Sequence, residues 1–315
     1  MFSNSVERCE KVPRKPFLKR IYEYRSLLLM LLPGILFFII FCYIPMYGIL
    51  LAFKDFRIMD GIMDSPWVGL KHFQKAFGDP YFLQVFKNSL LISIYKLVWG
   101  FPAPILFALL LNEVMNRRFK KLVQTVSYLP YFLSWVILGG IFINILSLNG
   151  PINAIISAMG LEARIFLADP GLFRSILVAT DVWKGFGWGS VLYLAAISGI
   201  GEEMYESSYL DGANRFQRAL YITIPSLAPV IVITLILSCS SILNAGFDQV
   251  FNLYNSMVMD VSDIIDTYVY RKGLLDMDYS YSTAVGVFKS VVALVLIIGT
   301  NKAANKFGGK GYGLW

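Results

Sequence analysis

Glu202-Glu203-Met204-Tyr205-Glu206-Ser207-Ser208-Tyr209-Leu210-Asp211-Gly212-Ala213-Asn214-Arg215-Phe216-Gln217-Arg218-Ala219-Leu220-Tyr221-Ile222-Thr223-Ile224-Pro225 joins two long apolar stretches, and its reading decides the fold. Tyr205, Tyr209, Gly212, Phe216 and Leu220 recur at helical spacing, while Glu202, Glu203 and Glu206 sit in the first turns, where the helix dipole favours acids. The pattern predicts a short amphipathic helix outside the bilayer. Small residues at 207, 208, 212 and 213 let its backbone approach another surface, and Pro225 and Pro229 suit the start of the next helix. A surface helix that only closes the loop satisfies the same composition.

Working outward from this loop, the long gaps between charges mark membrane spans, since a bilayer core about 30 Å thick takes roughly 20 apolar residues as helix. Ser26 to Phe53 is uncharged, Asn88 to Asn112 carries only Lys96, and Leu122 to Leu146 is uncharged before the turn at Asn149-Gly150-Pro151. Ser175 to Gly201 carries Asp181 and Lys184, Ala219 to Phe247 carries nothing, and Tyr279 to Asn301 carries only Lys289, giving six spans. Basic residues precede the first, but its apolar core is nearly twice that of a cleavable signal, about 7–15 residues, so it is expected to stay as a signal-anchor helix.

The chain of 315 residues is 57% hydrophobic and 16% charged, with mean hydropathy +0.60 and net charge +7. These values exclude an ordinary water-soluble enzyme, for which about 25% charged residues is usual. Leaving aside those at or inside the spans, sixteen basic residues fall on the side of the termini and seven on the other. Cytoplasmic loops retain Lys and Arg, so both termini are expected in the cytoplasm. The basic residues flank spans and form no aromatic-interleaved patch, which argues against nucleic acid. The single histidine, His72, excludes a multi-histidine metal site, and Cys9, Cys42 and Cys239 form no disulfide or zinc framework.

Charges inside spans are costly and mark bundle interiors or cavities. Asp181 and Lys184, three apart on one helix face, are expected to pair as a structural ion pair ahead of a solute contact. Lys96 lies too deep to snorkel and is a candidate for a solute path, with Trp99, Trp183 and Trp188 nearby. Their aromatic density suits sugar rings, although interfacial aromatic belts explain it equally well. The positive surplus within the spans marks where to look for a path. Gly100-Phe101-Pro102-Ala103-Pro104 is expected to interrupt the second span, and Gly185, Gly187 and Gly189 to loosen the fourth, either along a path or as a packed kink. Asp276-Met277-Asp278 could be read as a metal-carrying acid pair but is better explained as solvated loop acids, as are Asp263 and Asp266.

Glu206-Ser207-Ser208, then Gly212, then Ile222-x-Ile224-Pro225 resembles the EAA motif of permease subunits of binding-protein-dependent ABC importers, with the family spacing and serines in place of both alanines. Asn112-Glu113, Gln124 to Pro130, Trp183 to Trp188, Asp211-Gly212-Ala213 and Thr267 to Gly273 are similar to the sugar branch, in particular to LplB-type permeases for oligo- or polysaccharides. The resemblance implies an all-α polytopic membrane protein of six transmembrane helices, with a type I (MetI-like) core of five helices plus one N-terminal helix. Along the chain it implies a basic cytoplasmic segment 1–25, a first helix 26–53, a loop 54–87, a permease core 88–306 with the coupling loop 201–225, and a cytoplasmic tail 307–315. Glu206, Ser207, Ser208, Asp211, Gly212, Ala213, Arg215 and Pro225 would then couple to the ATPase.

The chain has no G-x-x-x-x-G-K-[ST] phosphate loop, so ATP would be bound by partners and the chain itself would need no cofactor. The implied partners are a second permease subunit, two ATPase subunits, an extracytoplasmic solute-binding protein, membrane lipid and a carbohydrate, in a bacterial cell membrane. A non-sugar solute remains an alternative. A secondary transporter is another, although the two halves share no visible inverted pattern.

Overall fold

The computed structural model describes residues 23–307. The expected basic segment 1–25, apart from its last residues, Cys9 and all but the first residue of the tail 307–315 lie outside the described residues. The chain divides into two units, Met1–Leu50 and Leu51–Trp315. Near the N-terminus, α1 (Arg25–Phe38) continues through a wider turn, Ile39–Tyr43, into Ile44–Phe53. The run Arg25–Phe53 is 29 residues long and apolar enough to cross a membrane.

The second unit is helical, and among its described residues strand pairing is confined to the isolated bridges Lys54 to Trp67 and Arg57 to Gly61. After α2 (Lys71–Gly78), Asp79 accepts from the Tyr81 N–H at 2.9 Å and caps α3 (Pro80–Gly100), with Pro80 at a position where no amide donor is needed. α4 (Pro102–Asn112) follows without a break: Phe101 keeps helical angles (φ −71°, ψ −45°), and Pro80–Asn112 is one span of 33 residues. The expected interruption at Gly100 to Pro104 is therefore not found. The backbone passes it because the Phe101 N–H still reaches Leu97 O at 3.0 Å.

The expected span from Leu122 to Leu146 is sharply bent. α5 (Arg117–Tyr128) runs into a tight turn, Leu129–Phe132, and α6 (Trp135–Ile145) leaves at 103° to it. Pro130 sits in that turn, Leu133 is extended (φ −82°, ψ 139°), and the Ser134 hydroxyl caps α6 by accepting from the Ile137 N–H at 3.4 Å. After α7 (Pro151–Ala158), α8 (Pro170–Ser198) is 29 residues long and unbroken. Gly187 and Gly189 do not loosen it but admit neighbours. A Cβ on Gly187 would lie 2.1 Å from Ser127 O, and one on Gly189 would lie 3.0 Å from Pro104 Cγ.

α9 (Glu202–Leu210) and α10 (Arg215–Arg218) lead through the turn Ala219–Thr223 into α11 (Ile224–Ser240), and Arg215–Cys239 forms one span. A non-helical turn, short α12 (Phe247–Leu253) and α13 (Ile265–Tyr270) precede the last helix, α14 (Tyr279–Phe307). Of the six expected spans, four meet the length and apolarity of a membrane crossing, and the bent pair α5 to α6 makes five. α8, with Arg174, Asp181 and Lys184, is long enough but more polar.

Helices in a bilayer gain from close packing and interhelical hydrogen bonds more than from water exclusion. Ala108, Tyr193, Ile197 and Leu227 form one packed cluster between α4, α8 and α11, and Tyr193 and Thr234 hydroxyls meet at 2.9 Å. Phe82, Val85, Leu243, Ile265, Tyr268 and Tyr281 form another around α3, α13 and α14. There the expectation of a solvated Asp263 fails. It is fully buried and accepts from Thr267 at 2.6 Å, Tyr81 at 2.7 Å and Arg271. A buried carboxylate needs such partners, and Thr267 to Arg271 supply two of them. Asp266 pairs with Lys289, Asp278 with Lys75 at 3.0 Å and Asp276 with Lys272 at 2.8 Å. Burial, reinforced by hydrogen bonds to Tyr281 and Asp79, pushes the Tyr268 phenol well above its usual range.

Candidate functional site

The loop 201–225 folds as two helices, not the single amphipathic one expected. Gly212 stops α9 in a left-handed conformation (φ +74°), with its N–H on Tyr209 O at 3.1 Å and the Ala213 N–H on Ser208 O at 2.9 Å. This is the geometry that glycine adopts without a Cβ penalty. Asn214 then opens α10 through a capping box, its side chain accepting from Gln217 N–H while Gln217 Oε1 accepts from Asn214 N–H, both at 2.9 Å.

Glu206, Ser207, Asp211, Gly212, Arg215 and Pro225 are exposed and Ala213 is half-buried. Ser208 differs from its neighbour: it is buried, and its hydroxyl donates to Tyr205 O at 2.6 Å. Leu210 and Phe216 are 91% and 75% exposed, and Met204, Tyr209 and Tyr221 are exposed beside them. Apolar side chains grouped in this way around a charged loop mark an interaction surface.

Two residues that the sequence reading did not place at the site hold this loop. The Arg218 guanidinium is 6% exposed, lies 3.8 Å above the Tyr209 ring and 3.9 Å from Glu113 Oε2. Arg215 approaches the same oxygen at 3.7 Å. An acid placed directly after an apolar span, with two arginines three apart across the loop, was the available signal.

Deeper in the unit, a cavity of about 820 Å³ lies between α3, α4, α8 and α11. Of the candidate path residues, Lys96, Asp181 and Trp188 line it. Trp99 instead lines a second cavity of about 1030 Å³, with Arg174. Trp183 and Lys184 line neither. Trp183 packs edge to face on Phe142, and Lys184 Nζ sits 4.8 Å over the Trp135 ring.

The expected Asp181–Lys184 pair is therefore replaced. Asp181 takes Lys96 at 3.3 Å, and Lys96 also donates to Ala245 O at 2.8 Å and to Gln249. Gln249, fully buried, is held by donating to Leu177 O at 2.7 Å and Thr180 at 2.8 Å. All three donor hydrogens of Lys96 are taken up, so this charge does not face the cavity as a free cation. Gly246 (φ +92°) makes room, since a Cβ there would meet Lys96 Nζ at 2.8 Å. Ser93 Oγ, which the sequence did not single out, is buried at the cavity with no hydrogen-bond partner among the described residues.

A bundle of long apolar helices with a capped interhelical loop and an interior cavity suits a membrane transport subunit. The chain belongs to the family of binding-protein-dependent transport system inner membrane components, whose pattern it matches over residues 100–302. It is 44% identical over 286 residues to protein LplB of Bacillus subtilis (strain 168), covering 90% of each chain. It is 43% identical over 303 residues to the polygalacturonan/rhamnogalacturonan transport system permease protein YteP of the same organism, covering 96% of this chain and 94% of the relative. Its fold matches a chain of a bacterial ABC transporter involved in the import of the acidic polysaccharide alginate, with TM-score 0.87 and 39% identity, covering 93% and 99% of the two chains. A second structure of the bacterial alginate ABC transporter, in complex with alginate pentasaccharide-bound periplasmic protein, matches at TM-score 0.86. The chain is thus an ABC importer permease with the MetI-like fold.

Proposed function

We propose that the chain forms half of the pore of an ATP-driven importer for an oligo- or polysaccharide, with both termini in the bacterial cytoplasm. Two separate ATPase subunits drive it through loop 201–225, a second permease subunit completes the pore, and an extracytoplasmic binding protein delivers the solute. The observation that carries this reading is the exposed apolar surface around the Gly212 stop, on the loop whose residues resemble the EAA motif. YteP, a polygalacturonan/rhamnogalacturonan transport system permease, and the transporter of the acidic polysaccharide alginate support a glycan.

The cavity is the side of the path this chain contributes. Ser93, Thr234, Ser238 and Asn244 offer hydrogen-bonding groups, Asp181 offers a partly exposed acceptor, and Trp188 and Phe186 offer ring faces. Such a mixture suits hydroxyl-rich rings with apolar faces. The test is uptake of labelled oligogalacturonate, rhamnogalacturonan fragments and alginate oligosaccharide by cells with and without this chain. Loss of uptake of one of them on deletion is expected; unchanged uptake of all three overturns the glycan assignment.

A further inference from the structure

We propose that Glu113 is a positioning residue that ties the coupling loop to the cavity-lining helix α4, acting through Arg218. The inference rests on the reading of loop 201–225 as the ATPase-facing segment and adds how its movement would reach the cavity.

Glu113 directly follows α4, and an acid at a helix C-terminus stands against the negative end of the dipole. It is tolerated there because two guanidinium groups face it, Arg218 at 3.9 Å and Arg215 at 3.7 Å. The two are not equivalent. The Arg215 side chain is 66% exposed, so water and salt screen its attraction. Arg218 is buried and cannot be left without a counter-charge.

The other face of Arg218 is covered by the Tyr209 ring at 3.8 Å, and Tyr209 belongs to α9. One turn earlier, the Tyr205 and Thr223 hydroxyls meet at 2.9 Å, fixing α9 to the base of α11. A continuous line of contacts therefore runs from α9 through Tyr209, Arg218 and Glu113 into α4. The opposite end of α4 carries Pro104 to the cavity wall, with Phe101 just before the helix. Displacement of α9 would be passed to α4 as movement of one body, with the charge pair as the joint.

The test uses the assembled transporter, with its ATPase subunits, in lipid nanodiscs. Spin labels are placed by Glu203→Cys on α9 and Met115→Cys beyond Glu113, with Cys9, Cys42 and Cys239 replaced by serine. In the otherwise unaltered chain one narrow distance is expected, unchanged between the nucleotide-free and ATP-vanadate-trapped states. Glu113→Gln should still trap nucleotide but show a distance that broadens and shifts on trapping, and the exchanged pair Glu113→Arg with Arg218→Glu should restore the narrow distance. A narrow, unmoved distance in Glu113→Gln overturns the proposal. If Glu113→Gln does not assemble, Glu113→Asp is measured instead, and failure of both to assemble assigns Glu113 a folding role alone, which also overturns it. Crosslinking of Ser207→Cys to the ATPase in the otherwise unaltered chain is measured in parallel. Its failure would sink the coupling-loop reading, independently of the distance result.

Discussion

Lys96 Nζ stands 3.3 Å from Asp181 Oδ1, joining α3 to α8 across 85 positions of sequence. The pair is unequal, since the Lys96 side chain is 11% exposed and that of Asp181 39%. Asp181→Asn leaves Lys96 with Ala245 O and Gln249 and should cost about 1 kcal/mol, whereas Lys96→Met strips the fully buried Gln249 of its donor and should cost about 3 kcal/mol. Thermal unfolding of the detergent-solubilised protein reads the order. A larger loss for Asp181→Asn would show that Gln249 and Ala245 do not share the charge.

At Gly212 the restriction is conformational, because a Cβ would meet nothing within 4 Å. Substitution should therefore follow tolerance of positive φ, with Asn less harmful than Ala and Val worst, at about 1–2 kcal/mol for an ordinary L-residue. Assembly with the ATPase and uptake should fall in that order. Equal activity for Val and Gly would mean that the left-handed stop is dispensable.

Ser207 and Ser208 are neighbours with opposite exposure. In a cysteine-free background, Ser207→Cys should react rapidly with a polar maleimide in the isolated chain and crosslink to the ATPase in the complex, while Ser208→Cys should do neither. Rapid labelling at 208 would contradict the burial of that side chain against Tyr205.

Gly185 and Gly187 lie two apart on α8 and should respond oppositely. Gly187→Ala drives a methyl against Ser127 O and should unfold or separate α5 from α8, whereas Gly185→Ala meets nothing within 4 Å and should gain up to about 1 kcal/mol in helix propensity. Melting temperatures of the two variants decide the matter; a tolerated Gly187→Ala would refute the close approach.

The sequence made the coupling loop legible because its information is local: acids in a first turn, a glycine stop, a proline start and a family spacing all lie within 24 residues. The spans were legible as charge gaps for the same reason. The corner at Leu133 and Ser134 was not, since no charge falls between Leu122 and Leu146 and only Pro130 marks the turn. Nor were the partners of Lys96, for Asp181, Ala245 and Gln249 reach it through tertiary packing, and an i,i+3 rule applied to Asp181 and Lys184 cannot see Trp135 capture the second of them. Asp263 is likewise a loop acid by sequence and a core acid once Tyr81 is brought to it.

Where Gly187 meets Ser127, no side chain stands between the two backbones. α5 and α8 cannot come closer at that point, because the stop is made of peptide groups that no substitution can shrink. Variation at this position is one-sided: any other residue holds the helices apart, and none draws them nearer. The spacing there is already at its lower limit, so any narrowing of this bundle must be made at another pair of helices.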